Sequence, residues 1–254
     1  VDAGQPVIVA GLWSIDKDLR SLTNEARLSK SFGRNTLTVG GYYADYSVDD
    51  RWYQGNNALF AFEPNARLID IRLDNGARLT RNGLVSATTS QNDAHWKGRN
   101  IAGFIADEWE LTDRLRIDGG LRLEQFKAEG VVGLTAANID LDGDRTTLYN
   151  NGATVLTGAT RQVSYKKSKL SYTAGANWRF ADNYSAFARV NSGYKFPHFD
   201  DLREGSRVVQ KVQQYEIGLK TSQRWLSAGL TFFYNDFKGQ TYTQQVVNPD
   251  NSIT

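Results

Sequence analysis

Apolar and polar residues alternate without a break over residues 170–180. The apolar residues are Leu170, Tyr172, Ala174, Ala176, Trp178 and Phe180, and those between them are Ser171, Thr173, Gly175, Asn177 and Arg179. Successive side chains of a β-strand point to opposite faces, so this pattern predicts a strand whose two faces meet different surroundings. Residues 184–190 and 226–234 repeat the alternation. We therefore expect several neighbouring strands with one apolar face.

The same alternation predicts eight strands that are joined in pairs by short turns. They lie at residues 22–32 and 36–48, 99–111 and 115–128, 168–180 and 184–194, and 213–222 and 226–237. A tilted strand needs roughly 9–11 residues to cross a bilayer, which agrees with these lengths. The other connections are long, at residues 49–98, 129–167 and 195–212. Short turns at one end and long loops at the other are typical of an antiparallel transmembrane β-barrel, with periplasmic turns and extracellular loops.

Aromatic residues mark both ends of the predicted strands. Trp and Tyr prefer the membrane boundary, where one part of the ring is in an apolar environment and another part in water. The expected girdle near the turns consists of Trp109, Trp178, Phe180, Tyr184 and Trp225, and the opposite one of Tyr42, Tyr43, Tyr46, Phe232 and Tyr234. A soluble β-sandwich with these rings in its core is the alternative. Charged residues alternate with Ile117, Leu121 and Leu123, which favours a barrel with a wet or plugged interior.

Composition and charge agree with the all-β class. The chain has 254 residues with 23 glycines, 4 prolines and no cysteine, and its 30 basic residues nearly balance 28 acidic ones. No window is long and apolar enough for a membrane helix. A mean hydropathy of -0.50 is compatible with a barrel, because only every second residue faces lipid. The balanced charge gives no indication of nucleic-acid binding.

Two patterns within the long loops predict local structure. Asn75 and Gly76 lie between two short alternating runs, which predicts a small hairpin outside the membrane. Residues 140–144 carry carboxylates at alternate positions, as a calcium loop does. Arg145 and Asn151 stand where an EF-hand requires Gly and a bidentate Glu. We therefore interpret this segment as a solvated acidic turn and expect no bound metal.

The C-terminal third carries two motifs in a defined order, VNSGYKFPHFDDL at residues 190–202 and QYEIGLK at residues 214–220. A strand that ends in aromatic-Lys-x-Pro, followed after the next loop by Tyr-Glu-x-Gly-x-Lys, resembles the late-barrel signature of TonB-dependent outer-membrane receptors. Residues 232–238 resemble the continuation of this signature. Residues 107–109 and 115–122 resemble strand pairs from the middle of the family's barrel.

The resemblance implies a 22-stranded barrel with an N-terminal plug, in the outer membrane of a Gram-negative bacterium. It also implies outer-membrane lipid, the TonB complex and a small-molecule ligand as partners. No plug-like segment or TonB box is evident in this chain, so we expect residues 1–254 to form a partial barrel domain of a longer receptor. A self-contained eight-stranded barrel with a filled interior is the alternative.

The implied function is TonB-dependent active transport of a scarce nutrient, with a ferric siderophore as the first hypothesis. Oligosaccharides are an alternative ligand, and a passive porin is an alternative class, although porins lack the order of motifs described above. A hydrolase is the third alternative, because His198 next to Asp200 and Asp201 could supply a base. No Gly-x-Ser-x-Gly element or Cys nucleophile accompanies it. We therefore expect neither enzymatic activity nor a cofactor.

Aromatic and basic residues of the predicted loops are candidates for ligand binding. Aromatic rings stack on planar groups and sugars, and arginine pairs with anions. The candidate residues are Trp52, Tyr53, Trp96, Arg99, Phe196, His198, Phe199 and Arg203. The competing interpretation is that these side chains pack the loops against each other.

Overall fold

A computed structural model describes residue 4 and residues 6–241 of the chain. The strands and one helix are β1 Val7–Phe32, β2 Asn35–Ala61, β3 Leu84–Val85, β4 Ser90–Thr112, β5 Leu115–Ile139, β6 Ala153–Ala181, β7 Tyr184–Lys195, α1 Phe199–Arg203, β8 Gln210–Ser222 and β9 Ser227–Lys238. They form one sheet in the order β1-β2-β4-β5-β6-β7-β8-β9, and β3 pairs with β2. Among the described residues, no helix has the length and apolar character needed to cross a membrane. The predicted all-β antiparallel class is confirmed.

All eight predicted strands are present, and the long connections are shorter than predicted. β1 begins at Val7, β2 continues to Ala61 and β4 already begins at Ser90. The prediction stopped each strand at the length that crosses a bilayer, whereas ladder hydrogen bonds between neighbours have no reason to end there. Much of the predicted loops at residues 49–98 and 129–167 is therefore strand.

The register of β6 to β9 places apolar residues in continuous rows on one face of the sheet. Directly paired residues lie on the same face. These rows are Ala174, Val190, Tyr215 and Tyr234; Ala176, Ala188, Ile217 and Phe232; and Trp178, Ala186, Leu219 and Leu230. We call this the apolar face. It is open, since 60% of Ile217 and 64% of Phe232 are exposed.

The opposite side of the same four strands, here called the polar face, carries a different set of residues. Its rows are Thr173, Asn191, Gln214 and Asn235, and Gly175, Arg189, Glu216 and Phe233. The predicted division between two faces is therefore confirmed for residues 172–178, and the register shifts between Trp178 and Ala181. The division extends over four strands because the register aligns their alternating patterns.

Large rings lie over glycines of neighbouring strands. A Cβ at Gly130 would overlap the indole of Trp96, and one at Gly218 would overlap the ring of Phe187. Glycine in a strand allows this close approach, because a ring can then lie flat against the backbone. These positions therefore require glycine for packing.

The small hairpin predicted around Asn75 and Gly76 is also present. Leu73 N donates to Ala77 O at 2.8 Å, and Gly76 N donates to Leu73 O at 2.9 Å. Gly76 has a φ of 85°, a left-handed conformation that favours glycine. The two arms form one isolated bridge rather than a regular ladder.

The chain forms two compact units. Unit 1 comprises residues 1–22, 45–98 and 128–164, and unit 2 comprises residues 23–44, 99–127 and 165–254. Unit 1 contains its own core, whose members include Ala94, Trp96, Val132, Tyr149, Ala153 and Val163. Unit 2 contains β7, β8, β9 and the part of β6 from residue 165 onwards, and these strands form the apolar and polar faces described above.

Candidate ligand-binding site

Three candidate residues belong to unit 1, and their surroundings differ. Trp96 is only 1% exposed, with its indole against Gly130. Trp52 is half-buried, and its Nε1 donates to Asp50 Oδ2 at 3.2 Å. Tyr53 is 48% exposed. Of these three rings, that of Tyr53 is open to a ligand, whereas that of Trp96 is enclosed by packing.

A cluster of aromatic rings holds Phe196 in unit 2. The rings of Phe196 and Phe126 have centroids 5.4 Å apart, and those of Phe126 and Tyr165 are 5.9 Å apart. Burial raises the pKa of the Tyr165 hydroxyl, and the charge of Arg207 opposes this effect. The hydroxyl has no hydrogen-bond partner within residues 6–241. A buried hydroxyl without a partner is costly, so Tyr165 is a candidate contact that the sequence did not indicate.

The next three candidates lie at or in the short helix α1. His198 precedes the helix, and Asp201 accepts a hydrogen bond from the backbone N–H of His198 at 2.8 Å. Arg203 Nη2 lies 3.5 Å from Asp200 Oδ1 and 3.2 Å from Glu204 Oε1. The Arg203 charge is therefore balanced within the loop, while His198 is exposed and Phe199 is half-buried.

The same geometry bears on the hydrolase hypothesis. A catalytic base needs a carboxylate on its ring to orient it. Asp201 instead binds the backbone of His198, and Asp200 pairs with Arg203. Neither carboxylate forms the pair that the hypothesis requires.

Arg99 lies at the start of an exposed apolar stretch of β4. Ile101 and Ile105 follow it at alternate positions and are both exposed. The Arg99 guanidinium lies 5.9 Å from the centroid of the Tyr43 ring. This position resembles a residue at a membrane boundary more than a residue of a ligand pocket.

Charged residues of the unit 2 strands are paired with each other. Arg189 Nη2 contacts both carboxylate oxygens of Asp118, at 3.0 and 2.9 Å. Glu124 accepts hydrogen bonds from Asn100 at 2.8 Å and from Arg122 at 3.0 Å. Paired charges of this kind suit an interior that holds water or a polar partner, as predicted for the barrel lumen.

Backbone N–H groups donate hydrogen bonds to the carboxylates of the acidic turn. Asp142 Oδ1 accepts the N–H of Asp144, and Asp144 Oδ1 accepts the N–H of Thr146, both at 2.9 Å. Hydrogen bonds from the Asn150 side chain and the Asp144 backbone lower the pKa of Asp142, and those from Thr146 lower the pKa of Asp144. Within residues 6–241, no group of three or more His, Cys, Asp or Glu side chains is arranged to hold a metal ion.

Solved structures share this fold. The open form of the ferric-catecholate import receptor Fiu of E. coli K12 is 19% identical over 89% of this chain and 31% of its own, with a TM-score of 0.54. The ferric yersiniabactin uptake receptor FyuA of Yersinia pestis is 15% identical over 91% of this chain and 30% of its own, with a TM-score of 0.52. At these identities the likeness concerns the fold. The chain spans about 30% of the length of either receptor.

Sequence comparison identifies the family. No curated protein matches the chain by sequence. The family model of the TonB dependent receptor-like β-barrel matches residues 10–254, which is nearly the whole chain. Barrels of this family are outer-membrane proteins of Gram-negative bacteria and act as receptors and transporters rather than enzymes. The chain belongs to the β-barrel family of TonB-dependent receptors.

Proposed function

We propose that this chain is part of an outer-membrane receptor that takes up a ferric siderophore by TonB-dependent active transport. The observation that carries this proposal is the pair of faces on β6 to β9, together with the family match. An open apolar face meets lipid, and a polar face with paired charges lines a wet interior. On this proposal, residues 1–254 form part of a larger barrel domain, and a plug outside this chain contacts the TonB complex.

Two observations support a ferric siderophore as the ligand. The receptors that share the fold are described as ferric yersiniabactin and ferric-catecholate receptors. Ferric siderophore complexes combine planar groups with negative charge, which aromatic rings and arginine can bind. An aromatic ring is present in α1, as Phe199, and an arginine follows the helix, as Arg207.

The structure supports a smaller set of ligand contacts than the sequence predicts. Tyr53 in unit 1, and His198 and Phe199 in unit 2, have exposed or half-buried side chains that a ligand can reach. Tyr165 adds a hydroxyl that needs a hydrogen-bond partner. Trp96, Phe196 and Arg203 are assigned to packing and to charge balance within the loop, because each already has close partners.

Uptake by cells that produce the intact receptor tests this proposal. We expect iron-starved cells to accumulate radioactive iron from a ferric siderophore when TonB is present. We expect this accumulation to be lost when TonB is deleted. A panel of catecholate, hydroxamate and carboxylate siderophores identifies the class, and labelled oligosaccharides serve as the comparison. TonB-dependent uptake of an oligosaccharide without iron uptake would contradict the siderophore assignment. Uptake that persists without TonB would identify a passive porin.

A further inference from the structure

One acidic residue interrupts an exposed apolar row of β4. Ile101 and Ile105 occupy alternate positions of this row, and Trp109 lies at its turn end; all three are exposed. Asp107 lies between Ile105 and Trp109 in the same alternation, so its side chain is on the same side of the strand. If this side contacts hydrocarbon, as the proposed function requires, Asp107 is an ionisable residue on a lipid-facing surface. Such a residue is costly there and indicates a functional site.

The Asp107 carboxylate has one hydrogen-bond donor, and this donor is neutral. Asn35 Nδ2 donates to Asp107 Oδ2 at 3.1 Å. Within residues 6–241, Asp107 Oδ1 and Asn35 Oδ1 have no hydrogen-bond partner, and Asp107 forms no ion pair. The neighbouring Glu108 differs, because its Oε1 lies 3.1 Å from Arg116 Nη1. The negative charge of Asp107 therefore lacks a cation.

Asp107 borders a groove with a volume of about 440 Å³ on this surface. A Cβ at Gly119 would meet no side chain within 4 Å, so the space above this glycine is open. Asp118 also borders the groove, but its carboxylate pairs with Arg189. The large apolar residues that border the groove are Leu37, Ile105, Trp109, Ile117 and Leu121. The groove thus combines apolar walls with one carboxylate whose charge is not balanced.

The acidic and apolar parts of the groove lie at different levels. Asn35 is the first residue of β2, directly after the turn that joins β1 and β2. Its hydrogen bond therefore holds the Asp107 carboxylate on the turn side, near the membrane boundary that Trp109 marks. Ile105 and Leu121 border the groove further from the turns. A molecule that fits this groove has a polar group at the boundary and an apolar part that extends towards the middle of the membrane.

We propose that this groove binds a phospholipid with a primary ammonium headgroup, such as phosphatidylethanolamine, in the leaflet on the turn side. The ammonium group contacts Asp107, and an acyl chain lies along the apolar walls. A primary ammonium carries one positive charge and three N–H donors, so it balances the carboxylate and supplies the donors that it lacks. A choline headgroup has the charge without an N–H donor, and a glycerol headgroup has no positive charge. The inference rests on the proposed function only in requiring that this surface contact the membrane.

Exchange of defined lipids on the intact receptor in nanodiscs, measured by native mass spectrometry, tests the inference. The probes share the same acyl chains and are phosphatidylethanolamine, its N,N-dimethyl form, phosphatidylcholine and phosphatidylglycerol. We expect phosphatidylethanolamine to bind about tenfold more tightly than phosphatidylcholine, with the dimethyl form between them. Asp107→Asn keeps the size of the side chain and removes its charge, and this tenfold preference should then be lost. Free ethanolamine should not displace the lipid at equal concentration, and displacement would assign the site to small ammonium ions.

A matched control removes the same charge from the next residue. Glu108 points to the other side of β4, so Glu108→Gln should leave the preference unchanged. Asp107→Glu keeps the charge and should retain the preference, which separates lipid binding from a folding defect. Equal binding of phosphatidylethanolamine and phosphatidylcholine, or the same loss of preference in Glu108→Gln, would overturn the inference. A receptor that retains none of these phospholipids would instead contradict the membrane contact that the proposed function requires.

Discussion

Strand β4 distributes apolar residues in opposite ways in its unit 1 part and in its unit 2 part. In the part of β4 that belongs to unit 1, Ala94 and Trp96 are buried, and the alternate residues Asp93, His95 and Lys97 are exposed. In the unit 2 part, the exposed residues Ile101 and Ile105 are apolar, and charges of neighbouring strands, such as those of Arg189 and Asp118, are paired with each other. The first arrangement suits water around the protein, and the second suits lipid.

The same inversion occurs in β5, which contributes residues to both units. Leu121 and Leu123, in unit 2, are exposed, whereas Ala128 and Val132, in unit 1, are buried. β5 is continuous from Leu115 to Ile139, so no break in the strand marks the change. The two segments of a strand therefore differ in which of its two alternating sets of residues is apolar. The positions at which the strand begins and ends do not show this difference.

The largest expected effect concerns the unit 1 core. Trp96→Ala should lower the free energy of unfolding by about 3–5 kcal/mol, because it removes a fully buried ring from its place over Gly130. Tyr53→Ala should change it by no more than about 0.5 kcal/mol, since this ring is half exposed. Urea denaturation of the intact receptor in detergent measures both. Similar losses for the two variants would show that unit 1 lacks a packed core of this kind.

The next largest effect is expected from an arginine placed at an exposed apolar position of each unit. Ala174→Arg, on the apolar face of unit 2, should destabilise the protein in a bilayer by about 2–4 kcal/mol, because the charge enters hydrocarbon. Val131→Arg, at an exposed position of unit 1, should cost no more than about 0.5 kcal/mol. Unfolding titrations in lipid vesicles provide the comparison.

Thr173→Arg is a further control on the polar face. The Thr173 hydroxyl donates to Asn191 Oδ1 at 2.6 Å, so this variant should lose about 1 kcal/mol with the hydrogen bond. A cost for Ala174→Arg that does not exceed the costs of Thr173→Arg and Val131→Arg would show that the apolar face is not surrounded by lipid.

A smaller effect separates ligand contacts from packing within unit 2. Phe199→Ala should weaken binding of the ferric siderophore by about 1 kcal/mol, or several-fold in Kd, with little change in stability. Phe196→Ala should instead lower stability, since its ring packs on Phe126. Titration of the intact receptor with its ligand, together with thermal unfolding, measures both quantities. If Phe196→Ala weakens binding more than Phe199→Ala while stability stays unchanged, the two assignments must be exchanged.

The smallest effect concerns pH and the acidic turn of unit 1. Hydrogen bonds hold the pKa of Asp142 and Asp144 below the ordinary value of 3.8. Their stabilisation of the turn is complete above that value and is lost as the pH falls through the lowered pKa values. Amide exchange at the turn, corrected for the intrinsic rate, should accelerate at low pH, and Asp144→Asn should show a weaker dependence. Exchange protection that is independent of pH would indicate that the backbone alone maintains this turn.

The sequence predicted the strands better than the site. Alternation is a local property, so residues 170–180 indicated a two-faced strand without knowledge of any neighbour. Trp96 and Tyr53 are both aromatic residues in a predicted loop, and no local feature distinguishes a packed ring from an open one. Tyr165 was missed because it follows the alternation of β6 in a segment that was assigned to a loop.

The sequence by itself determined the all-β class, the eight long strands, the turns between them and the family. Each of these depends on the period of two or on short motifs, which are written in consecutive residues. Only the tertiary structure decided which strands extend further, which rings are buried and which charges meet, such as the two lysines at Tyr194. These depend on register and on contacts between residues that are distant in the chain, and the local pattern does not specify them.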